Sequence, residues 1–192
     1  SEGTVLKEYT LSYGDAIPAQ EEPTREGYTF VSWDKNVPDT VSDENVKNGK
    51  LVFQAVWKEI AYTISYNLAG GSLPTGKTNP TTFTINSKPM DLVQPKREGY
   101  TFEGWLGTDI KEKDTQVTVT ARPLKDRTYT ANWKENSYTI VFNVEGEVTR
   151  GEMKNIPLRY TQETTIPKNG YVCGGYKFVG WRTGGKKSEQ KV

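Results

Sequence analysis

Arg97-Glu98-Gly99-Tyr100-Thr101-Phe102-Glu103-Gly104-Trp105 decides the reading of this chain, because the chain contains the segment more than once. Arg25-Glu26-Gly27-Tyr28-Thr29-Phe30-Val31-Ser32-Trp33 precedes it by 72 positions, and Gly175-Tyr176-Lys177-Phe178-Val179-Gly180-Trp181 follows it by 76. A second motif, Tyr62-Thr63-Ile64-Ser65-Tyr66-Asn67-Leu68, returns as Tyr138-Thr139-Ile140-Val141-Phe142-Asn143-Val144, again 76 positions on. A third, Phe53-Gln54-Ala55-Val56-Trp57, returns as Tyr129-Thr130-Ala131-Asn132-Trp133. Three motifs recurring in one order mark an internal repeat, which reshapes every later inference about the fold.

Each motif has the alternation of a half-buried strand. Tyr62, Ile64, Tyr66 and Leu68 alternate with Thr63, Ser65 and Asn67, as do Tyr100 and Phe102 with their neighbours. Gly70-Gly71 marks a turn or bulge after the first strand. The best helix candidate is Val41 to Gly49, with Ser42 as a cap, Asp43 and Glu44 in the first turn and Asn48-Gly49 as the exit. Its counterpart in the second copy, Gln116 to Thr120, reads as extended. The expected units are residues 1–59 and 136–192, each incomplete, around a complete unit 60–135. A second phasing, in which the Tyr62 strand completes the preceding unit, is also compatible with the repeats. Lys-Glu after Trp57 and Trp133 reads as a junction, with linkers short enough to give a semi-rigid string.

Composition narrows the chemistry. The 192 residues carry eleven Tyr, six Phe, five Trp, 18 Gly and 10 Pro, a profile of turns and small aromatic cores. Without histidine, Ser-His-Asp and Cys-His catalysis and imidazole metal ligation are excluded. A single cysteine, Cys173, excludes an internal disulfide and fits an exported protein that avoids thiols. Carboxylate-pair and Ser-Lys or Tyr-based chemistry survive this filter, but no motif supports them. The net charge of +1 gives no reason to expect nucleic acid, and no apolar run is long enough to insert in a membrane. Ser1 to Leu6 does not read as a signal peptide, so an exported protein would hold this chain as an interior fragment.

The candidate residues are structural. Trp33, Trp105 and Trp181 end alternating strands in register, which favours core positions over sugar-stacking platforms. The same holds for Tyr28, Phe30, Trp57, Tyr100, Phe102, Trp133, Tyr176 and Phe178, while Gly27, Gly99, Gly104, Gly175 and Gly180 supply turns or close approaches. Arg25 and Arg97 are expected to pair locally or face water. Asp34, Asp39, Asp43 and Glu44 lack EF-hand spacing and read as solvated loop charges. No cofactor, metal or catalytic residue is expected. Charge drifts along the chain, from −5 over residues 1–59 to +2 over 60–135 and +4 over 136–192.

In Gly-Tyr-x-Phe-x-Gly-Trp, Tyr-Thr-Ala-Asn-Trp and Tyr-x-Ile-x-Tyr-Asn-x-x-Gly-Gly, the chain resembles the Listeria–Bacteroides repeat, also called the internalin B-repeat type. The resemblance implies α+β, β-rich units with a β-grasp, ubiquitin-like fold, set in an extended tandem array. It further implies non-enzymatic stalks or spacers of bacterial cell-surface or secreted proteins. Binding to a host protein or glycan is the alternative, and an accessory module of a carbohydrate-active enzyme a weaker one. Ser32 replaces the motif glycine in copy one, and Gly146-Glu147 replaces the Gly-Gly pair in copy three, so loop geometry is expected to differ between copies.

Overall fold

The alternating segments become strands, and no helix forms in residues 5–144 and 146–182, which the computed structural model describes. The α+β, β-grasp expectation is thereby overturned: the chain is all-β, built from several small sheets. The helix candidate 41–49 is a pair of turns instead. Asn45 N donates to Ser42 O at 3.2 Å, while the Asn45 carboxamide oxygen accepts from Ser42 N at 3.1 Å. Asn48 and Gly49 adopt φ of 50° and 73°, and Lys47 and Lys50 exchange backbone hydrogen bonds across them. Two successive positive-φ residues reverse a chain tightly, so Asn-Gly here makes a hairpin turn rather than a helix exit. Nine residues offer too few helical hydrogen bonds to offset nucleation without a packed face.

In the first unit, β1 (Tyr28–Trp33) pairs antiparallel with β2 (Ala55–Glu59), with a bulge between Phe30 and Ser32. The second unit supplies β3 (Tyr62–Asn67), β4 (Thr82–Phe83), β5 (Met90–Asp91), β6 (Tyr100–Gly107), β7 (Ile110–Asp114), β8 (Thr118–Val119) and β9 (Arg127–Glu135). Five of these form one sheet in the order β4-β3-β9-β6-β7, and β5 pairs with β8 separately. The central pair β3–β9 is parallel and the others are antiparallel. Parallel neighbours need a long crossover, commonly helical. Here the crossover holds Pro74, Pro80, Pro89 and Pro95, which interrupt any continuous helical stretch, and it is filled by β4 to β8. The third unit contributes β10 (Ser137–Ile140), β11 (Val148–Arg150), β12 (Ile156–Arg159) and β13 (Val172–Cys173), pairing β10 with β12 and β11 with β13.

The principal core lies in the second unit. Ile64, Phe83, Leu92, Trp105, Val117, Val119, Tyr129 and Ala131 are buried, and Tyr66, Leu68, Phe102 and Trp133 pack around them. On β9, buried Arg127, Tyr129 and Ala131 alternate with exposed Thr128 and Thr130, so one face of the strand supplies much of this core. Val117 and Val119 enter through the extended 116–120 segment, where Leu92 N donates to Val117 O at 2.8 Å.

Candidate functional site

The recurring motif builds one aromatic arrangement in two copies. In the second unit Phe102 meets Trp105 at 5.6 Å and Trp133 at 5.4 Å, both edge-on. In the first, Phe30 meets Trp33 at 5.3 Å and Trp57 at 5.8 Å with the same edge-on geometry. The Phe and the first Trp are three residues apart, which would put them on opposite faces of a regular strand, and the bulge between them absorbs one residue and brings both rings to one side. Trp105 is 0 % exposed, and its indole N–H has no hydrogen-bond partner, so packing holds it. Trp33, Trp57 and Trp133 are half-buried. The Trp133 indole donates to Leu68 O at 3.0 Å, and its ring fills the space where a side chain at Gly71 would lie.

Gly104 shows what the motif glycine is for. At φ +133° a Cβ there would lie 2.6 Å from the backbone nitrogen of Asp114, so the glycine lets β7 close on β6. Ser32 holds the same place in the first unit, where β1 has β2 as its only strand neighbour among the described residues and no counterpart of β7 pairs with it.

In the third unit the motif is placed differently. Phe178 meets Trp181 at 5.0 Å, and Trp181 meets the buried Phe142 at 4.8 Å. Tyr176, however, is 83 % exposed and Phe178 46 % exposed, and Gly175 and Gly180 face open space. Residues 175–181 form no strand.

The charged residues are spent on local contacts. Arg25 lies 3.9 Å over Tyr28, and Arg97 lies 3.7 Å over Tyr100 while donating to Ala69 O at 3.0 Å. The two arginines thus stack on the motif tyrosines three residues on, and Arg25 remains exposed. Asp34 accepts from Gln54 N at 2.8 Å, which ties one of the four loop carboxylates to the backbone. Cys173 is half-buried in β13. Burial raises the Tyr66 phenol above its ordinary value, and its O–H donates to Pro80 O at 2.7 Å.

Two features escaped sequence reasoning. Arg127 is buried with its guanidinium 4.2 Å over Phe83, donating to Thr120 O at 2.8 Å and Pro123 O at 2.9 Å. Its place at the head of an alternating strand, in step with Tyr129 and Ala131, was the available signal. The other lies between the units. Glu26 forms an ion pair with Arg122, and hydrogen bonding between them lowers the carboxyl pKa and raises that of the guanidinium. Asn86 donates to Glu59 Oε1 at 2.6 Å and to Tyr28 Oη at 2.7 Å. At the next boundary Thr161 N donates to Glu135 Oε1 at 2.8 Å, and the Thr161 hydroxyl donates to the same oxygen. Hydrogen bonds with Thr84 and Asn86 hold the Glu59 carboxyl below its ordinary value, and those from Thr161 do the same for Glu135.

A family model described as the Listeria-Bacteroides repeat domain matches residues 1–55, 62–131 and 138–191. A protein named putative Gly-rich membrane protein, from Evansella cellulosilytica, is 26% identical over 182 residues, covering 93% of this chain and 20% of the relative. A putative membrane protein of the same organism is 24% identical over 190 residues, covering 94% and 27%. Internalin H of Listeria monocytogenes is 30% identical over 115 residues, covering 58% and 20%. The chain thus spans roughly a fifth to a quarter of the length of these relatives. No solved structure gives a significant match.

Proposed function

We propose that this chain, which belongs to the Listeria–Bacteroides repeat domain family, is a non-enzymatic spacer built of three tandem modules, residues 1–59, 60–135 and 136–192. The family occurs in proteins described as membrane proteins and in an internalin, which supports placement at a bacterial cell surface. The observation that carries the reading is how the motif residues are used. In the first two units the aromatic residues that would serve as ligand platforms pack on one another as Phe30–Trp33–Trp57 and Phe102–Trp105–Trp133. A module whose recognisable chemistry goes into its own folding is suited to holding other domains at a distance. Small-angle scattering tests this: a spacer gives an elongated particle, and a compact one would overturn the reading.

Adhesion is the second reading, favoured by the third unit alone. It combines a sequence charge of +4 over residues 136–192 with the exposed ring of Tyr176. A polyanionic glycan fits that combination, with affinity falling steeply as salt rises. An array of sulfated glycans decides it: reproducible binding lost on Tyr176→Ala supports adhesion, and a blank array leaves the spacer reading standing.

A further inference from the structure

The two unit boundaries share one geometry. At the first, Ile60 N donates to Gly27 O at 2.9 Å, and at the second Asn136 N donates to Gly99 O at 2.9 Å. In both, the motif Tyr lies opposite a glutamate in the strand register, Tyr28 with Glu59 and Tyr100 with Glu135. In both, a four-residue turn of the following unit sits on this end. The turns are Thr84–Ser87 and Arg159–Gln162, closed by Ser87 N to Thr84 O at 3.1 Å and Gln162 N to Arg159 O at 2.9 Å. The side chain of the fourth residue reaches back to the first N–H in each, Ser87 Oγ at 2.8 Å and Gln162 Oε1 at 3.3 Å.

The second and third turn residues make the contact. Ile85 occupies the space beside Gly27, where a Cβ would lie 2.8 Å from the Ile85 Cβ, and the Tyr160 ring overlaps the corresponding space at Gly99. Both glycines have positive φ, 77° and 75°, so any other residue would be strained as well as obstructed. Tyr160 also meets Tyr100 edge-on at 5.9 Å. The third residue, Asn86 or Thr161, hydrogen-bonds the glutamate.

A third turn is closed in the same way, although its third residue is Gly14, which has no side chain and whose N–H donates to Val41 O at 2.9 Å. Asp15 N donates to Ser12 O at 3.1 Å, and the Asp15 carboxylate accepts from Ser12 N at 2.7 Å. Its second residue, Tyr13, precedes Gly27 by the 14 positions that separate Ile85 from Gly99, and it is 75 % exposed.

We infer that the Gly-Tyr end of a unit, with the glutamate of its paired strand, is a socket for the turn of the following repeat, and that the Ser12–Asp15 turn is a knob of this kind whose partner is the socket of another repeat. The family motif therefore encodes the joint between units as well as their interior. A bulky second residue fills the glycine hollow, and in the Thr84–Ser87 and Arg159–Gln162 turns a hydrogen-bonding third residue engages the carboxylate, whereas the Ser12–Asp15 turn offers the hollow-filling residue alone. Shape complementarity of this sort fixes one relative orientation, since a rotated turn would leave the hollow empty and the glutamate unpaired. The inference deepens the spacer reading and rests on it for its purpose, since fixed joints are what let short units hold a direction.

The experiment measures distances across each joint by paired spin labels in a Cys173→Ser background. Asp43→Cys with Lys111→Cys spans the first joint, and Lys111→Cys with Lys154→Cys spans the second. The expected result is one narrow distance distribution for each pair. Gly99→Ala broadens the second severalfold and leaves the first unchanged, and Gly27→Ala does the reverse. Because Gly99→Ala also strains β6, Tyr160→Ala is the companion variant: it removes the knob from outside the second unit's sheet and broadens the second distribution alone. Tyr13→Ala is silent in this chain. When a copy of residues 1–72 is placed directly ahead of Ser1, Tyr13 stands where Ile85 stands in the native repeat, and Tyr13→Ala broadens the distribution across the new joint. Broad distributions in the parent chain, or narrow ones that survive both Gly99→Ala and Tyr160→Ala, overturn the inference. Silence of Tyr13→Ala in the lengthened chain overturns the third knob. An elongated scattering profile with broad label distances would retain the spacer and reject the joint, so the two failures are distinguishable.

Discussion

The second and third units carry the same motif 76 positions apart, yet Trp105 is completely buried while its counterpart Trp181 is half-buried, and Tyr176 and Phe178 are exposed where Tyr100 and Phe102 are half-buried. What differs is the neighbouring strand. Tyr100 to Trp105 pairs with β9 along its length, and β7 joins on the other side at Trp105, so backbone pairing fixes the pleat that turns Trp105 inward. The corresponding residues 175–181 adopt no strand and pair with none among the described residues. The first unit is intermediate: β2 pairs with β1 and assembles the aromatic trio, but among the described residues no counterpart of β3 joins it, and its rings stay half-buried. The motif alone therefore specifies which rings meet, and the paired strand decides whether they form a core.

The largest expected effect breaks the second unit. Trp105→Ala removes its biggest fully buried side chain and costs about 3–5 kcal/mol, read as a large drop in the unit's melting temperature. Trp181→Ala, at a half-buried position, is expected to leave that transition unchanged. Supplying the missing partner sharpens the comparison. Residues 107–135 grafted directly after Arg182 bring a β9 sequence to the third unit, and its melting should become cooperative with a blue shift of indole emission. A third unit that still melts gradually would show that its loop changes, not the absent strand, keep it open.

Glycine geometry gives a smaller contrast. Gly104→Ala pushes a methyl group into the β7 backbone at positive φ and is expected to cost about 1–3 kcal/mol. Ser32→Gly in the first unit relieves no contact and should be nearly silent in the same denaturation experiment.

Acid provides the smallest effect and treats both joints alike. Glu59 and Glu135 have lowered values in the folded chain, so their contribution is complete above the ordinary carboxylate value of 4.5 and is lost as pH falls through the lowered one. Label distances across both joints should stay narrow at neutral pH and broaden below about pH 4. Glu59→Gln should weaken that response at the first joint, where Glu26 paired with Arg122 still titrates, and leave it intact at the second.

Much of this was legible because repetition in sequence reports repetition in pairing. The alternation of Tyr62, Ile64 and Tyr66 foretold β3, and that of Tyr129 and Ala131 the inward face of β9. The helix candidate misled because Ser42, Asn48 and Gly49 serve turns as well as caps, and local residue types do not distinguish the two when no packed face is present. The β-grasp expectation came with the family resemblance, and the crossover between β3 and β9 is made of short strands and proline-bounded loops. The joints were invisible for a different reason. Gly27 and Gly99 look like ordinary turn glycines, and only the placement of Ile85 and Tyr160, far along the chain, shows what their missing side chains make room for.

The parallel pairing of β3 with β9 bears on mechanics. β3 opens the second unit and β9 closes it, so a pull along the chain draws the start of one strand and the end of its neighbour in opposite directions. Ile64, Ser65, Tyr66 and Asn67 stand in register with Arg127, Thr128, Tyr129 and Thr130, and their hydrogen bonds are loaded in shear together, where an antiparallel hairpin pulled from its open end would unzip bond by bond. A unit that begins and ends on adjacent parallel strands resists tension at the two points where its neighbours are tied to it.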